Sequence, residues 1–296
     1  MLPLLFAAQA AAHLAAGAAP PSKLPTPNDV VANAPASAWK DIPADDLMVI
    51  DLRNGGRVVV QLAPAYAPVH VANIKALART GYWNGATVYR VQDDYVAQWG
   101  LNDSDKPWPA EVVAKPPAEY VRPLKGLKVT PLGSPDPYAP GAGFAEGWPI
   151  AYSAKADWAN LAHCYASVGV GRDLSPDTGT GGELYAVIGH GPRQLDRNIA
   201  LVGRVVDGID RFSTLPRGTE ALGFYKDKAQ YVPIASIRIA ADMPAGERPS
   251  YQYMDTASSA FAQYLHLRAN RHDDFYIQPA GGVDLCNVQV PVRKKP

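Results

Sequence analysis

Cysteine and charge are both scarce in this sequence. The 296 residues include two cysteines, 19% are charged, and the formal net charge is zero. Nucleic-acid binding needs clustered Lys and Arg in excess, so this balance argues against nucleic acid as the main partner. No C-x-x-C pair is present, and His163, His190, His266 and His272 lack metal-ligand spacing. The sequence therefore predicts neither a metal nor a cofactor.

Long hydrophobic runs are also missing. Residues 1–19 are apolar and small, but a membrane span needs about 20 sustained apolar residues. The stretch is similar to a secretory signal without its charged start, and the alternative is an Ala-rich leader. We therefore expect a periplasmic or secreted protein rather than a cytoplasmic one, with no stable membrane insertion. Export would favour a Cys164–Cys286 disulfide, whereas a cytoplasmic protein would keep two buried thiols.

The 28 prolines and 25 glycines favour a turn-rich, strand-rich fold. Residues 20–44 have no sustained period and are typical of a linker. Leu47–Leu52 and Arg57–Leu62 are β-branched runs around Asn54-Gly55-Gly56, a hairpin signal. Residues 64–80 have helical spacing, and Val88–Gly100 is predicted as one strand that carries Arg90 among aromatic residues.

The rest of the chain divides into three parts. Residues 102–157 are rich in Pro and Gly and are predicted as a long inserted loop. Order then returns, with predicted strands at 164–170, 183–188, 199–206 and 230–240, the last of edge type because of Pro233, and a short helix at 209–215. Six to eight short strands with few helices fit a closed barrel. We expect a barrel domain over 45–242, and a helix near 257–272 in a 243–296 extension that docks on the barrel.

Three motifs, taken together, resemble the bacterial cyclophilin-type peptidyl-prolyl isomerases. APVHVANIKALARTGYWNGATVYRVQDDYVAQWG is similar to the helix and catalytic strand of that family. VGVGRDLSPDTGTGGELYAVIG and PRQLDRNIALVGRVVDGID follow in the family's order. The resemblance implies a mainly β fold, a closed eight-stranded antiparallel barrel capped by two helices. It also implies a monomer that acts on proline-containing polypeptides.

The same resemblance assigns roles to single residues. It implies that Arg90 is the catalytic arginine. It implies that the substrate-binding positions are Tyr95, Val96, Gln98, Glu183, Tyr185 and Leu195. An isomerase of this kind makes and breaks no bond, so it needs an apolar grip on the proline ring and a donor that stabilises the twisted amide. A guanidinium presents its donors in a fixed fork and stays charged.

Several residues depart from the family pattern. Tyr89 stands where the family has histidine, Glu183 replaces a glutamine, and Ile199 replaces a histidine or tyrosine. A carboxylate at 183 would pair with Arg90 and compete with substrate, which predicts a slow or selective isomerase. The alternative is a barrel that binds proline segments, as a chaperone does, without catalysis.

Two enzyme classes have weak support. Asp177-Thr178-Gly179 spells the aspartic-protease triplet, but such enzymes need two carboxylates that share a proton, and the chain has no second copy. Gly169-x-Gly171 lacks the third glycine of a dinucleotide fingerprint.

Overall fold

The computed structural model describes residues 24–102 and 104–296. The signal-like leader lies outside the described residues. The helices are α1 (Pro27–Asn33), α2 (Pro68–Arg79), α3 (Asp210–Ser213) and α4 (Ser259–Ala269). The strands are β1 (Trp39–Asp41), β2 (Leu47–Leu52), β3 (Arg57–Leu62), β4 (Thr87–Val91), β5 (Val96–Gly100), β6 (Thr130–Pro131), β7 (Gly141–Ala145), β8 (Trp148–Ser153), β9 (Trp158–Leu161), β10 (Ser167–Val170), β11 (Leu184–Val187), β12 (Leu201–Asp207), β13 (Val232–Ile239), β14 (Tyr251–Met254) and β15 (Val292–Lys294).

Eight strands close into an antiparallel barrel in the order β10-β11-β5-β4-β13-β2-β3-β12, and β12 pairs again with β10. The predicted closed barrel is therefore confirmed. Its β2–β3 hairpin also has the predicted bounds. Gly55 adopts φ +88° in the turn, a conformation that glycine tolerates without steric cost, and the Asn54 side chain accepts a hydrogen bond from the Gly56 N–H.

Two helices close the barrel core. Ile74 and Leu77 of α2 and Phe212 of α3 are fully buried in the cluster that fills the barrel. The Phe212 ring stacks on Trp99 of β5 with centroids 5.1 Å apart. Because α2 begins after Ala67, which has no capping side chain, its first N–H groups need another acceptor. Glu119 supplies it, at 2.9 Å from Val69 N and 3.0 Å from His70 N.

A second body of structure covers the outside of the barrel. It consists of α1, β1, β6–β9, α4, β14 and β15, which we call the flanking layer. One sheet has the order β6-β7-β8-β9 and the other β1-β14-β15. A shared core holds the layer together, with Trp39, Phe144, Phe261 and Leu285 all buried in it. The segments before, inside and after the barrel sequence therefore form one structure.

The predicted 20–44 linker and 102–157 loop are corrected by this layer. From residue 27 the former contains α1, started by a capping box between Thr26 and Asp29, and β1, which pairs with β14. The latter contains β6, β7 and β8, which pair in sequence with β9. The three-residue strand β1 has its partner far away in sequence and leaves little local pattern. Strands β6 to β8 pair with their sequence neighbours, but they are short and lie among frequent Pro and Gly residues, which interrupt the alternation of a strand.

One further prediction needs correction. Strand β13 is no edge strand, because it pairs with both β2 and β4, and Pro233 lies near its first residue, where a missing N–H is tolerated.

The predicted C-terminal helix exists as α4. Its buried face lies in the core of the flanking layer, where the Phe261 ring centre is 5.0 Å from that of Phe144 in β7. Elsewhere in the 243–296 extension, Tyr251 and Val292 share a core with Leu47, Val49 and Val59 of the barrel.

No helix in residues 24–102 and 104–296 is both long enough and apolar enough to cross a membrane.

Candidate active site

The predicted strand Val88–Gly100 is two strands, β4 and β5, joined by a tight turn. The turn lies between Val91 and Val96, and Asp94 adopts φ +49° in it. Aspartate tolerates this left-handed conformation better than most residues. The single-strand prediction is therefore wrong, but the hairpin places Arg90 directly opposite Gln98.

Arg90 is held on three sides by oxygen acceptors. Its Nε donates to the Leu222 carbonyl at 2.7 Å, and its two Nη atoms donate to Gln98 Oε1 at 2.9 Å and Gln92 Oε1 at 2.6 Å. The guanidinium carbon lies 5.8 Å from the centre of the Tyr95 ring. Burial lowers the pKa of Arg90, yet an arginine pKa starts so high that the group stays charged at neutral pH. The site thus holds a fixed, half-buried cation.

Apolar side chains lie beside this cation. Val96, Tyr185 and Val187 form a buried cluster, and Tyr95 and Ile199 pack against it. All of these residues except Val187 line one cleft together with Arg90, and the volume of the cleft is about 620 Å³. Such a volume is typical of ligand pockets.

Six of the seven residues assigned by resemblance line this cleft. They are Arg90, Tyr95, Val96, Gln98, Glu183 and Tyr185. Leu195 is the exception, since it lies in a one-turn helix after β11 and outside the cleft lining. Ile199, noted only as a departure from the family pattern, lines the cleft and packs on the Val96 cluster.

Glu183 lies in the cleft, but its hydrogen-bond partners differ from those that the sequence predicted. Its Oε1 accepts hydrogen bonds from Leu101 N at 2.9 Å and Asn102 N at 3.0 Å, and its Oε2 accepts one from the Tyr89 hydroxyl at 2.7 Å. A side chain at Gly100 would collide with this carboxylate. Among the ion pairs of the described residues, none joins Glu183 to Arg90, so the expected direct pairing is wrong.

Glu183 is instead connected to Arg90 through two intermediate side chains. Arg90 donates to Gln98 Oε1, the Gln98 amide donates to the Tyr89 hydroxyl at 2.5 Å, and Tyr89 donates to Glu183. Burial, together with the Glu183 charge, raises the pKa of Tyr89, so its hydroxyl keeps the proton that this chain requires. Both ends of the Gln98 amide are therefore engaged.

The floor of the cleft rests on a buried polar network. The Tyr185 hydroxyl lies 3.0 Å from His163 Nε2, and His163 Nδ1 lies 2.9 Å from Asp196 Oδ1. Arg193 donates to Asp196 at 2.6 Å and to both oxygens of Asp136, which belongs to the insertion. His163 is completely buried, and the next residue, Cys164, is bonded to Cys286 of the extension. The cleft floor is thus connected to the flanking layer.

Residues 47–240, more than half of the chain, match the family model described as cyclophilin type peptidyl-prolyl cis-trans isomerase/CLD. The chain belongs to this family. Similar proteins include probable peptidyl-prolyl cis-trans isomerases of Brucella suis and Brucella abortus, at 26% and 25% identity over 180 residues, which are 60% of this chain and 74% of theirs. A crystal structure of a cyclophilin from Hirschia baltica has a TM-score of 0.67 at 24% identity, over 90% of this chain and 96% of that one. That likeness shows a shared fold that extends beyond the barrel.

In this cyclophilin-type barrel, sequence reasoning missed two cleft-lining residues, Leu222 and Phe224. Phe224 lies 5.4 Å from the Arg90 guanidinium carbon, and its ring stacks near that of Tyr89. The neighbouring Leu222 carbonyl is the acceptor for Arg90 Nε. Both belong to the irregular segment between α3 and β13, where neither a helical nor a strand period is present. An aromatic residue between glycine-containing turns was the one available signal.

Proposed function

We propose that this chain catalyses cis–trans isomerisation of X–Pro bonds in polypeptides at the Arg90 cleft. The observation that carries this proposal is a half-buried arginine, fixed by hydrogen bonds, next to an apolar pocket. Arg90 has five N–H groups, and three donate to Leu222, Gln98 and Gln92. Two remain for a substrate. The Val96 cluster offers the apolar surface that a proline ring needs.

Catalysis of X–Pro isomerisation requires little beyond this cation and this apolar surface. Rotation about a peptide bond has a barrier of roughly 18–20 kcal/mol because amide resonance is lost. In the twisted amide the nitrogen lone pair is localised, so a nearby N–H donor stabilises it more than the planar ground state. That difference is what accelerates a reaction. The acceptors around Arg90 fix the direction of its two remaining donors before substrate arrives.

We also propose that the enzyme is slow or selective, and that Glu183 is the cause. Its carboxylate acts through Tyr89, which in turn holds the Gln98 amide. A substrate that uses Gln98 must first displace one of these hydrogen bonds. Extended peptides able to do so would react best. Slow or selective catalysis is thus explained by the hydrogen bonds that hold Gln98, and not by an ion pair in which Glu183 competes with substrate for Arg90.

Exchange NMR on a short X–Pro peptide tests the proposal. The wild-type chain should broaden or exchange the cis and trans signals, and Arg90→Ala should lose most of this activity. Arg217→Ala is the matched control, since Arg217 is a surface arginine paired with Asp93 in the adjacent turn. Peptide binding without exchange in the wild type would favour the alternative, a non-catalytic proline-binding module.

Location and assembly are further proposals. We infer export to the periplasm or beyond, supported by the Cys164–Cys286 disulfide, because disulfides persist in oxidising compartments. Fractionation of cells that express the full chain tests this. Size-exclusion chromatography with light scattering tests the expected monomer.

A further inference from the structure

A second cavity lies away from the Arg90 cleft, between the barrel and the flanking layer. Its volume is about 380 Å³. Barrel strands β10 and β12 form one wall, β8 and the segment 288–292 form the other, and Tyr264 of α4 closes one side. Its apolar lining includes Leu161, Leu201 and Val288. Pockets of roughly 300–1,000 Å³ with a few placed polar groups are typical ligand sites.

One cation, Arg204 of β12, is placed in this lining. Its Nε and one Nη donate to the same acceptor, Gln61 Oε1, at 3.1 and 2.9 Å. Its guanidinium carbon lies 4.7 Å from the centre of the Trp148 ring. Arginine has five N–H groups, so three remain without a protein acceptor among the described residues. They include both N–H groups of the other Nη.

Arg204 also lacks a counter-ion. None of the ion pairs within residues 24–102 and 104–296 includes it, and no Asp or Glu is among the described residues that line the cavity. Burial lowers the pKa of Arg204 to about 10, which leaves it charged at neutral pH. A partly buried cation without an anion is costly, and a ligand that supplied the anion would recover part of that cost.

We propose that this cavity binds a small molecule that joins a carboxylate to an apolar chain, with Arg204 as the carboxylate-binding group. The free N–H groups of a guanidinium match the two oxygens of a carboxylate. The tail of the ligand would lie against Leu161, Leu201 and Val288. Trp148, already stacked on Arg204, would cover the junction. The C-terminus of an apolar peptide presents the same chemistry, so the test includes it.

Calorimetry on the full chain with octanoate and octanol as probes tests the site. Octanoate should bind saturably and at least tenfold tighter than octanol, because only octanoate carries the anion. N-acetyl-Leu-Leu as the free acid and as its amide provides the second pair. Whichever acid binds more tightly identifies the source of the carboxylate. No saturable binding of either acid, or equal binding of acid and uncharged partner, overturns the proposal.

Substitutions of Arg204 test whether this residue binds the carboxylate. Arg204→Gln should reduce octanoate affinity at least tenfold and leave octanol unchanged. Arg204→Lys keeps the charge but loses the fork, so a few-fold loss is expected, and this variant carries the test if the glutamine variant does not fold. Arg197→Gln is the matched control, because Arg197 stacks on Trp158 at the same 4.7 Å but lies outside the cavity. Wild-type affinity in both Arg204 variants refutes the assignment. Retained isomerase activity shows that the barrel is intact.

Discussion

The hydrogen-bond chain from Arg90 to Glu183 has a fixed direction, which makes Glu183→Gln an informative substitution. Each member donates to the next, and the carboxylate ends the chain because it can only accept. A glutamine amide at 183 would donate to Tyr89 in place of accepting from it. Tyr89 would then face two donors, and its own proton would lose its acceptor. We expect the hold on Gln98 to weaken.

The two consequences have opposite signs. A hydrogen bond to a charged group is worth about 1.5–3 kcal/mol and a neutral one about 1 kcal/mol. Replacing the first by the second should therefore lower the free energy of unfolding by roughly 0.5–2 kcal/mol. A released Gln98 can contribute one neutral hydrogen bond to the substrate in the twisted state. At about 0.5–1.5 kcal/mol, this raises kcat/KM by roughly 2- to 12-fold. The variant should therefore be less stable and more active.

Exchange NMR on an X–Pro peptide and urea unfolding measure the two effects. Glu119→Gln is the matched control, because Glu119 also accepts two backbone N–H groups but caps α2 outside the cleft. It should lose stability without any gain in activity. Unchanged or lower activity in Glu183→Gln would refute the role assigned to Glu183. An equal gain in the Glu119 variant would trace the effect to general loosening of the fold.

Three more results are expected. Reduction of the Cys164–Cys286 bond, which spans 122 residues, should lower the free energy of unfolding by about 4–5 kcal/mol in the chain-entropy treatment, measurable by urea unfolding with and without reductant. Burial alone would raise the pKa of Asp196, but the hydrogen bond from His163 and nearby positive charge outweigh it and lower that pKa. The stability from Asp196 should thus be complete above its unfolded value of about 3.9 and be lost as pH falls through the lower folded value, which thermal melts between pH 5 and pH 2 would detect. Arg90→Lys should retain substrate binding but lose most turnover, because one ammonium cannot reproduce the fork; a kcat equal to wild type would contradict this.

The barrel was predictable because its strands carry strong local patterns. The β2–β3 hairpin has an Asn-Gly turn between two β-branched runs, and both strand bounds match. The flanking layer has no such signal. Strand β1 has three residues and its partner β14 is distant in sequence, whereas β6 has only two residues and pairs with the next strand, β7. Their stability comes from a shared core around Phe144 and Phe261, which no local window contains.

The candidate active site likewise has some features that were predictable from the sequence and others that were not. Arg90 and Gln98 were found together because the motif places them eight residues apart, a spacing that a tight hairpin turns into a cross-strand pair. The contacts of Glu183 were not predictable, since its carboxylate accepts hydrogen bonds from the backbone N–H groups of Leu101 and Asn102, which follow β5. A residue identity specifies which groups are available. Only the fold decides which of them meet.

The pairing of β1 with β14, and of β14 with β15, has a consequence for synthesis on the ribosome. Strand β1 is made before any barrel strand, yet its partner is made after all of them. The β2–β3 hairpin can form as it emerges, but the barrel closes only when β12 and β13 reach β3 and β2. Trp39 and the apolar face of α1 wait longer still, for the last segments. The pairing of β1 with β14 therefore gives the flanking layer a high contact order, whereas the β2–β3 contacts are local. Assembly of this protein ends where the chain's early and late segments meet.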